Sequence, residues 1–217
     1  MSTVAVIDYG MGNLHSMAKA LEHVRPAGME VVITSDRDVV MGADHVVFPG
    51  QGAARDCMKE IHALKLEPVI REAARGKPFL GVCMGLQVLM QHSEEGGGVD
   101  CLGLYAGDVR FFGRGLRDPR SGERFKIPQM GWNRVRQQCA HPLWEGIADE
   151  SWFYFVHSYY VDPQEQRLVA GTTDYTRRYA SVLAADNVFA VQFHPEKSQH
   201  AGLRLLANFL RWDGTTS

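Results

Sequence analysis

Only four cysteines occur in the 217 residues, at 57, 83, 101 and 139, and no two of them form a CxxC pair. Zinc knuckles and disulfide frameworks both use closely paired cysteines, so neither is expected. The nine histidines show no HxxxH or HxH spacing, and no metal site is expected from them. Basic runs do not exceed the pair Arg177-Arg178 and the net charge is −2, which gives no support to nucleic-acid binding. No apolar stretch approaches the ~20 residues that cross a bilayer. The opening MSTVAVIDYG lacks the basic start and apolar run of a secretory signal. The cytoplasm is therefore the expected compartment, with no membrane and no nucleic acid among the partners. Internal repeats, low-complexity tracts and linkers are missing too, so residues 1–217 read as a single domain.

What is present is ordinary globular composition, 45% hydrophobic and 22% charged. VAVID (4–8), EVVIT (30–34), HVVFPG (45–50) and PFLGV (78–82) read as strands. Helical patterns separate them over about 14–24, over 53–75 with an interruption at Pro68, and from Met84 to about His92. Strands alternating with helices predict a parallel sheet covered on both faces. The second half carries closely spaced strand-like runs: GDVRFF, FKIPQMGWNRV, SWFYFVHSYYV, RLVAGTTDY, YASVLAADN and VFAVQFHPE. They predict an antiparallel or mixed extension, closed by an amphipathic helix over 202–212. The expected fold is α/β, with a mixed, mainly parallel central sheet between helical layers. The charged, turn-rich GRGLRDPRSGER (113–124) reads as a loop.

Three stretches carry chemistry. Cys83 stands between Gly81 and Gly85 where an apolar strand gives way to a helical pattern. A side chain on a sharp strand-to-helix turn is exposed above the sheet in a strained backbone, and small residues two positions away relieve the crowding. The first-turn N–H groups of a following helix would favour a thiolate there. Cys57, Cys101 and Cys139 lie in helical, loop-like or strand-edge patterns and read as packing residues. A thiolate nucleophile needs a partner that handles protons. VFAVQFHPEKS (188–198) offers His194 at a strand end, with Glu196 two residues on. In extended chain the two would point the same way, and Pro195 stiffens the step. FPGQGAA (48–54) places a glycine-rich turn after a strand. Its N–H groups, from Gly50, Gln51 or Gly52, would join that of Met84 in holding an oxyanion. DYGMGN (8–13) is no dinucleotide fingerprint, because His15 stands where the third glycine belongs; it reads as a tight turn.

In order and in spacing these pieces resemble the class I, triad-type glutamine amidotransferases, over essentially the whole chain, which implies their flavodoxin-like three-layer fold. DYGMGNLHS (8–16), MGWN (130–133), FVHSYY (155–160) and FHPEKS (193–198) resemble the glutaminase subunits of imidazole glycerol phosphate synthases of histidine biosynthesis. The resemblance implies that Cys83 attacks glutamine, His194 moves the protons and Glu196 holds its ring. It also implies that Gln87 and the backbone around His157, Ser158 and Tyr159 recognise the substrate, with no cofactor. His157, in the middle of its run, is not expected to be a second base. A (β/α)₈ cyclase subunit is the implied partner in a heterodimer, with Trp132, Lys197 and Asn13 at the interface. Glutaminase activity would be weak without that partner. Two positions depart from the family pattern: Gln51 in place of a small aliphatic residue, and Gln129 where histidine is common. The alternatives are a glutaminase for a pyridoxal phosphate or anthranilate synthase, a non-catalytic module of the same fold, and a cysteine peptidase.

Overall fold

The structure, a computed structural model, describes residues 2–118 and 121–216. Four strands of the first half, β1 (Ser2–Ile7), β2 (Met29–Thr34), β3 (His45–Gly50) and β4 (Phe79–Cys83), pair in parallel in the order β2-β1-β3-β4. The connections are helical: α1 (Leu14–Val24), α2 (Arg37–Gly42), α3 (Ala54–Ala63) and α4 (Glu67–Gly76). Buried strands of this kind read as unbroken apolar runs because both faces are covered. Alternate residues enter two different cores. Ala5, Ile7, Val46 and Phe48 pack with α3 and α4, whereas Val4, Val6, Val47 and Leu80 pack on the opposite face with α1 and α6 (Gln199–Phe209).

Beyond β4 come α5 (Met84–Gln87), β5 (Met90–Ser93), β6 (Val99–Asp100), β7 (Tyr105–Phe111), β8 (Gln129–Gln137), β9 (Ser151–His157), β10 (Tyr159–Pro163), β11 (Val169–Asp174), β12 (Arg178–Ala185) and β13 (Val188–Val191). Strand β13 returns to lie parallel beside β4, and the sheet continues through β12, β10 and β7 to β5 and β6. β11, β8 and β9 branch from β12 as an antiparallel arm. The sheet is thus mixed and mainly parallel at its centre, between helices, as the sequence predicts.

Four local readings need correction. The helix expected from Met84 to about His92 ends at Gln87. The chain from Val88 onward pairs instead with residues 101–105, through bonds such as Leu102 N–H to the Val88 carbonyl, 2.8 Å. Tertiary pairing overrides the helical pattern there. The interruption expected at Pro68 in the helical stretch 53–75 comes earlier, at residues 64–66 between α3 and α4, and Pro68 sits inside the first turn of α4 where its missing N–H costs nothing. α2 was not anticipated, although Asp36 caps it, its carboxylate accepting from Asp38 and Val39 N–H. The last helix begins three residues early, at Gln199. The loop at 113–124 holds a bridge between Arg117 and Arg124; its residues 119 and 120 lie outside the described residues.

Candidate active site

Strand β4 is flanked by β3 and β13, and all three run in the same direction, so their C-terminal ends open onto one crevice. That is where open α/β sheets bind ligands. Gly50, the last residue of β3, is in register with Cys83, the last residue of β4. Cys83 has φ 57° and ψ −106°, a left-handed conformation that non-glycine residues rarely hold. The glycines beside it answer to close packing. A Cβ on Gly85 would stand 1.9 Å from the Phe48 carbonyl oxygen, so any side chain there would force the elbow off β3.

His194 follows the end of β13. Phe193, fully buried, stacks on Phe153 with centroids 4.0 Å apart, and this fixes the direction in which its neighbours leave the chain. His194 N–H donates to the Tyr154 carbonyl at 2.9 Å. The buried Ser198 hydroxyl donates to the His194 carbonyl at 2.6 Å and accepts from Tyr154 N–H at 3.0 Å. Glu196 does not reach the ring through extended chain, as the i, i+2 argument supposed. Residues Pro195–Lys197 form a 3₁₀ turn, and it is this curl that brings Glu196 Oε1 to 2.9 Å from His194 Nδ1. The His194 side chain is 7% exposed and the Glu196 side chain 2%. Burial opposes charge on the ring, but Cys83 and Glu196 outweigh it and push the His194 pKa up to about 10. Both neighbours thus favour the charged ring, which faces the sulfur.

The turn after β3 packs against the elbow, with Gln51 and Gly52 lining the same cavity as Cys83. A Cβ on Gly50 would meet the Tyr9 hydroxyl at 2.3 Å and Met84 Cβ at 2.8 Å, so the turn is glycine because the DYGMGN segment and the elbow both press on it. Cys57, on α3, donates its thiol to the Gln51 carbonyl at 3.6 Å and accepts from Tyr9 O–H at 3.8 Å. Burial pushes the Cys57 pKa up to about 12, which favours its thiol form.

Gln51, Gly52, Cys83, Met84, Gln87 and His194 line one cavity of about 280 Å³. His157, Ser158, Tyr159 and Lys197 line it too, with Pro128 and Val156, so every expected substrate residue shares a cavity with Cys83. Glu95 lines it as well and was not anticipated. Its Oε2 accepts from Ala54 N–H at 2.6 Å, which ties the start of α3 to the far side of the cavity across 41 residues of sequence. Gln87 Nε2 donates to the Tyr159 carbonyl at 3.1 Å and to Gln192 Oε1 at 2.9 Å, while Gln87 Oε1 is buried without a partner. His157 is held by its side chain. Nδ1 lies 2.7 Å from the Tyr159 carbonyl and Nε2 lies 3.2 Å from the Tyr179 hydroxyl. That hydroxyl is 3.1 Å from the side-chain amide of Gln129, a residue 3% exposed. Burial lowers the His157 pKa to about 4, so its ring is neutral and no competitor to His194.

Of the expected interface residues, Trp132 projects from β8 at 42% exposure beside Met130, at 65%, and Trp152, at 49%. Trp132 lies across from Tyr154, and Arg134 sits over the Trp152 ring at 5.0 Å. Lys197 is exposed at the cavity rim. Asn13 precedes α1, where its carbonyl accepts from Met17 N–H and its side chain caps nothing.

A family model described as "Glutamine amidotransferase class-I" matches residues 5–212. The chain belongs to the class-I glutamine amidotransferase family. Among curated relatives, it is 59% identical over 218 residues to "Imidazole glycerol phosphate synthase subunit HisH" of Methylococcus capsulatus, covering 100% of both chains. It is 56% identical to the protein of the same description in Pseudomonas putida, covering 99% of each. Among solved structures, PurLQS from Thermotoga maritima shares the fold with a TM-score of 0.72 at 17% identity, over 97% of this chain and 98% of that one. A structure titled "Crystal structure of glutamine amidotransferase" gives 0.70 at 16% identity, over 96% and 99%.

Proposed function

We propose that this chain is the glutaminase subunit of an imidazole glycerol phosphate synthase and that Cys83, His194 and Glu196 hydrolyse L-glutamine for it. The observation that carries the reading is the buried His194–Glu196 pair, 2.9 Å apart, whose histidine lines the cavity of about 280 Å³ that Cys83 also lines. Full-length identity of 59% to a HisH subunit supports the pathway.

In this reading the Cys83 thiolate attacks the side-chain carboxamide carbon. Negative charge passes to the oxygen, which the N–H groups of Met84 and of the Gly50-Gln51-Gly52 turn receive. His194 gives its proton to the departing nitrogen, ammonia leaves and a glutamyl thioester remains. The ring, now neutral, takes a proton from water, hydroxide attacks the thioester, and glutamate leaves as the thiolate and the imidazolium re-form. Gln87 Oε1 and Glu95 supply acceptors for the substrate's α-ammonium group.

Ammonia released to neutral water is protonated and is no nucleophile, so it must pass directly to a second active site. The partner is a cyclase subunit with a (β/α)₈ barrel, and Met130, Trp132 and Trp152 form the face on which it docks. Exposed in the monomer, such an apolar patch marks an interaction site. The test is glutamate release by the chain alone, then with the cyclase, with and without its nucleotide ligand. Release that rises at least tenfold with liganded cyclase and vanishes in Cys83→Ala is expected. Activity that ignores the cyclase would sink the pathway; activity that survives Cys83→Ala would sink the triad.

A further inference from the structure

We infer that Gln192 is a fourth catalytic residue, whose side-chain N–H donates to Cys83 Sγ and supports the thiolate alongside His194. Gln192 is 0% exposed, and its Nε2 lies 3.7 Å from Cys83 Sγ.

The amide orientation follows from the network around it. Side-chain amides place nitrogen or oxygen toward a neighbour only as their partners require. The Tyr159 carbonyl can only accept, so the Gln87 atom 3.1 Å from it is Nε2. The Gln192 atom 2.9 Å from that same Nε2 must accept, and is therefore Oε1. Gln192 Nε2 is left facing the sulfur. Each orientation forces the next, and the series starts from a backbone atom that cannot turn over. Gln192 is held by its main chain as well, its N–H donating to the Ser181 carbonyl at 2.8 Å.

A donor at this point has a clear chemical task. Thiolate is the reactive form, and a buried anion without donors is costly. The charged group facing the sulfur is the His194 imidazolium, with Glu196 behind it. The four-residue α5 offers little dipole, because its peptide units are too few to sum. Gln192 supplies what the shortened helix does not: a neutral N–H that persists when His194 has given its proton away. When the thioester breaks and sulfur regains its charge, that donor is already in place.

The inference rests on the glutaminase reading for its meaning, but its test does not need glutamine. Alkylation of Cys83 by iodoacetamide, followed by mass spectrometry of its peptide across pH, reports the thiolate directly. A hydrogen bond to a charged group contributes about 1.5–3 kcal/mol, roughly one pH unit or more. In Gln192→Met the acid limb of alkylation is therefore expected about one unit higher, with glutamine kcat down about tenfold and KM changed less. Gln87→Met, which frees the Gln192 amide to rotate, is expected to move the limb the same way by less, and serves if the first variant does not fold. A wild-type limb in both variants would overturn the inference and reduce Gln192 to packing. A wild-type chain that alkylates normally but releases no glutamate even with the liganded cyclase would instead overturn the glutaminase reading.

Discussion

The two flanks of the nucleophile hold one buried histidine each, and they are tuned in opposite directions. His194, on the β13 side, has its pKa raised to about 10 despite burial, because Cys83 and Glu196 favour the charged ring. His157, on the β9 side, is pushed down to about 4 by burial; its partners are a carbonyl and a hydroxyl that carry no compensating charge. The two are almost equally enclosed, 6% and 5% exposed. Burial therefore does not decide the charge; the partner does. One flank is ionic and reactive, while the other is neutral and holds the cavity wall through Tyr159, Gln87 and Gln192.

The comparison breaks most sharply at Glu196. Glu196→Gln keeps the shape of the 3₁₀ turn and removes the charge, so kcat for glutamate release is expected to fall by roughly 10²–10⁴. A raised histidine pKa means the charged ring persists up to about pH 10 and is lost above it. Without the carboxylate that loss comes at lower pH, and the alkaline limb of the kcat profile should move down. An alkaline limb that stays in place would mean that Cys83 alone holds the proton on His194.

The neutral flank is read through stability. The His157 pKa falls from an ordinary 6.5 to about 4, so the unfolded chain takes up its proton first. The contribution of the neutral ring is complete above about pH 6.5 and is lost as pH falls toward 4, an effect of about 3 kcal/mol. His194 has the opposite sign: its contribution is complete below about pH 6.5 and is lost as pH rises through about 10. Urea unfolding at pH 7 and 4.5 measures the first. His157→Gln is expected to lose less stability over that interval than the parent, and an equal loss would assign the acid sensitivity elsewhere.

The ionic flank was legible in the sequence because each of its parts carries a backbone signature: glycines around Cys83, Pro-Gly-Gln-Gly at the turn after β3, and a proline after His194. The neutral flank was largely hidden. Glu95 reaches Ala54 across 41 residues, which no local pattern records. Gln192 is the more instructive case. The rule that residues two apart face the same way was applied forward, from His194 to Glu196, where the chain curls into a 3₁₀ turn and the rule fails. Applied backward it selects Gln192, since Phe193 turns into the aromatic core while its two neighbours both meet Cys83. Gln129 was noted only as a departure from the family pattern. Its role as partner to Tyr179 depends on the pairing of β8 with β9, in which Gln129 stands opposite His157. The early end of α5 was illegible for the same reason, because its competitor, the 101–105 segment, lies more than ten residues away.

The smallest expected effect separates support of the wall from support of the sulfur. Tyr179→Phe keeps a ring that packs against Phe112 and His157 and removes one hydroxyl. Since His157 Nδ1 faces a carbonyl, the neutral ring must donate there, and Nε2 must accept. The Tyr179 hydroxyl, 3.2 Å away, has a single hydrogen, which it shares between Nε2 and Gln129 Oε1 at 3.1 Å. Its loss leaves a buried acceptor unpaired, which costs about 1–3 kcal/mol in urea unfolding at pH 7. The bond from His157 to the Tyr159 carbonyl does not involve that hydroxyl, so Gln87 and Gln192 should keep their orientation. Cys83 alkylation is therefore expected to stay within about twofold of the parent, below the ~10-fold change that one strong hydrogen bond to a charged group brings. Alkylation slowed as much as in Gln192→Met would show that the neutral flank responds as one connected unit, and that its far end at Gln129, beside the exposed Met130 and Trp132, acts on the sulfur.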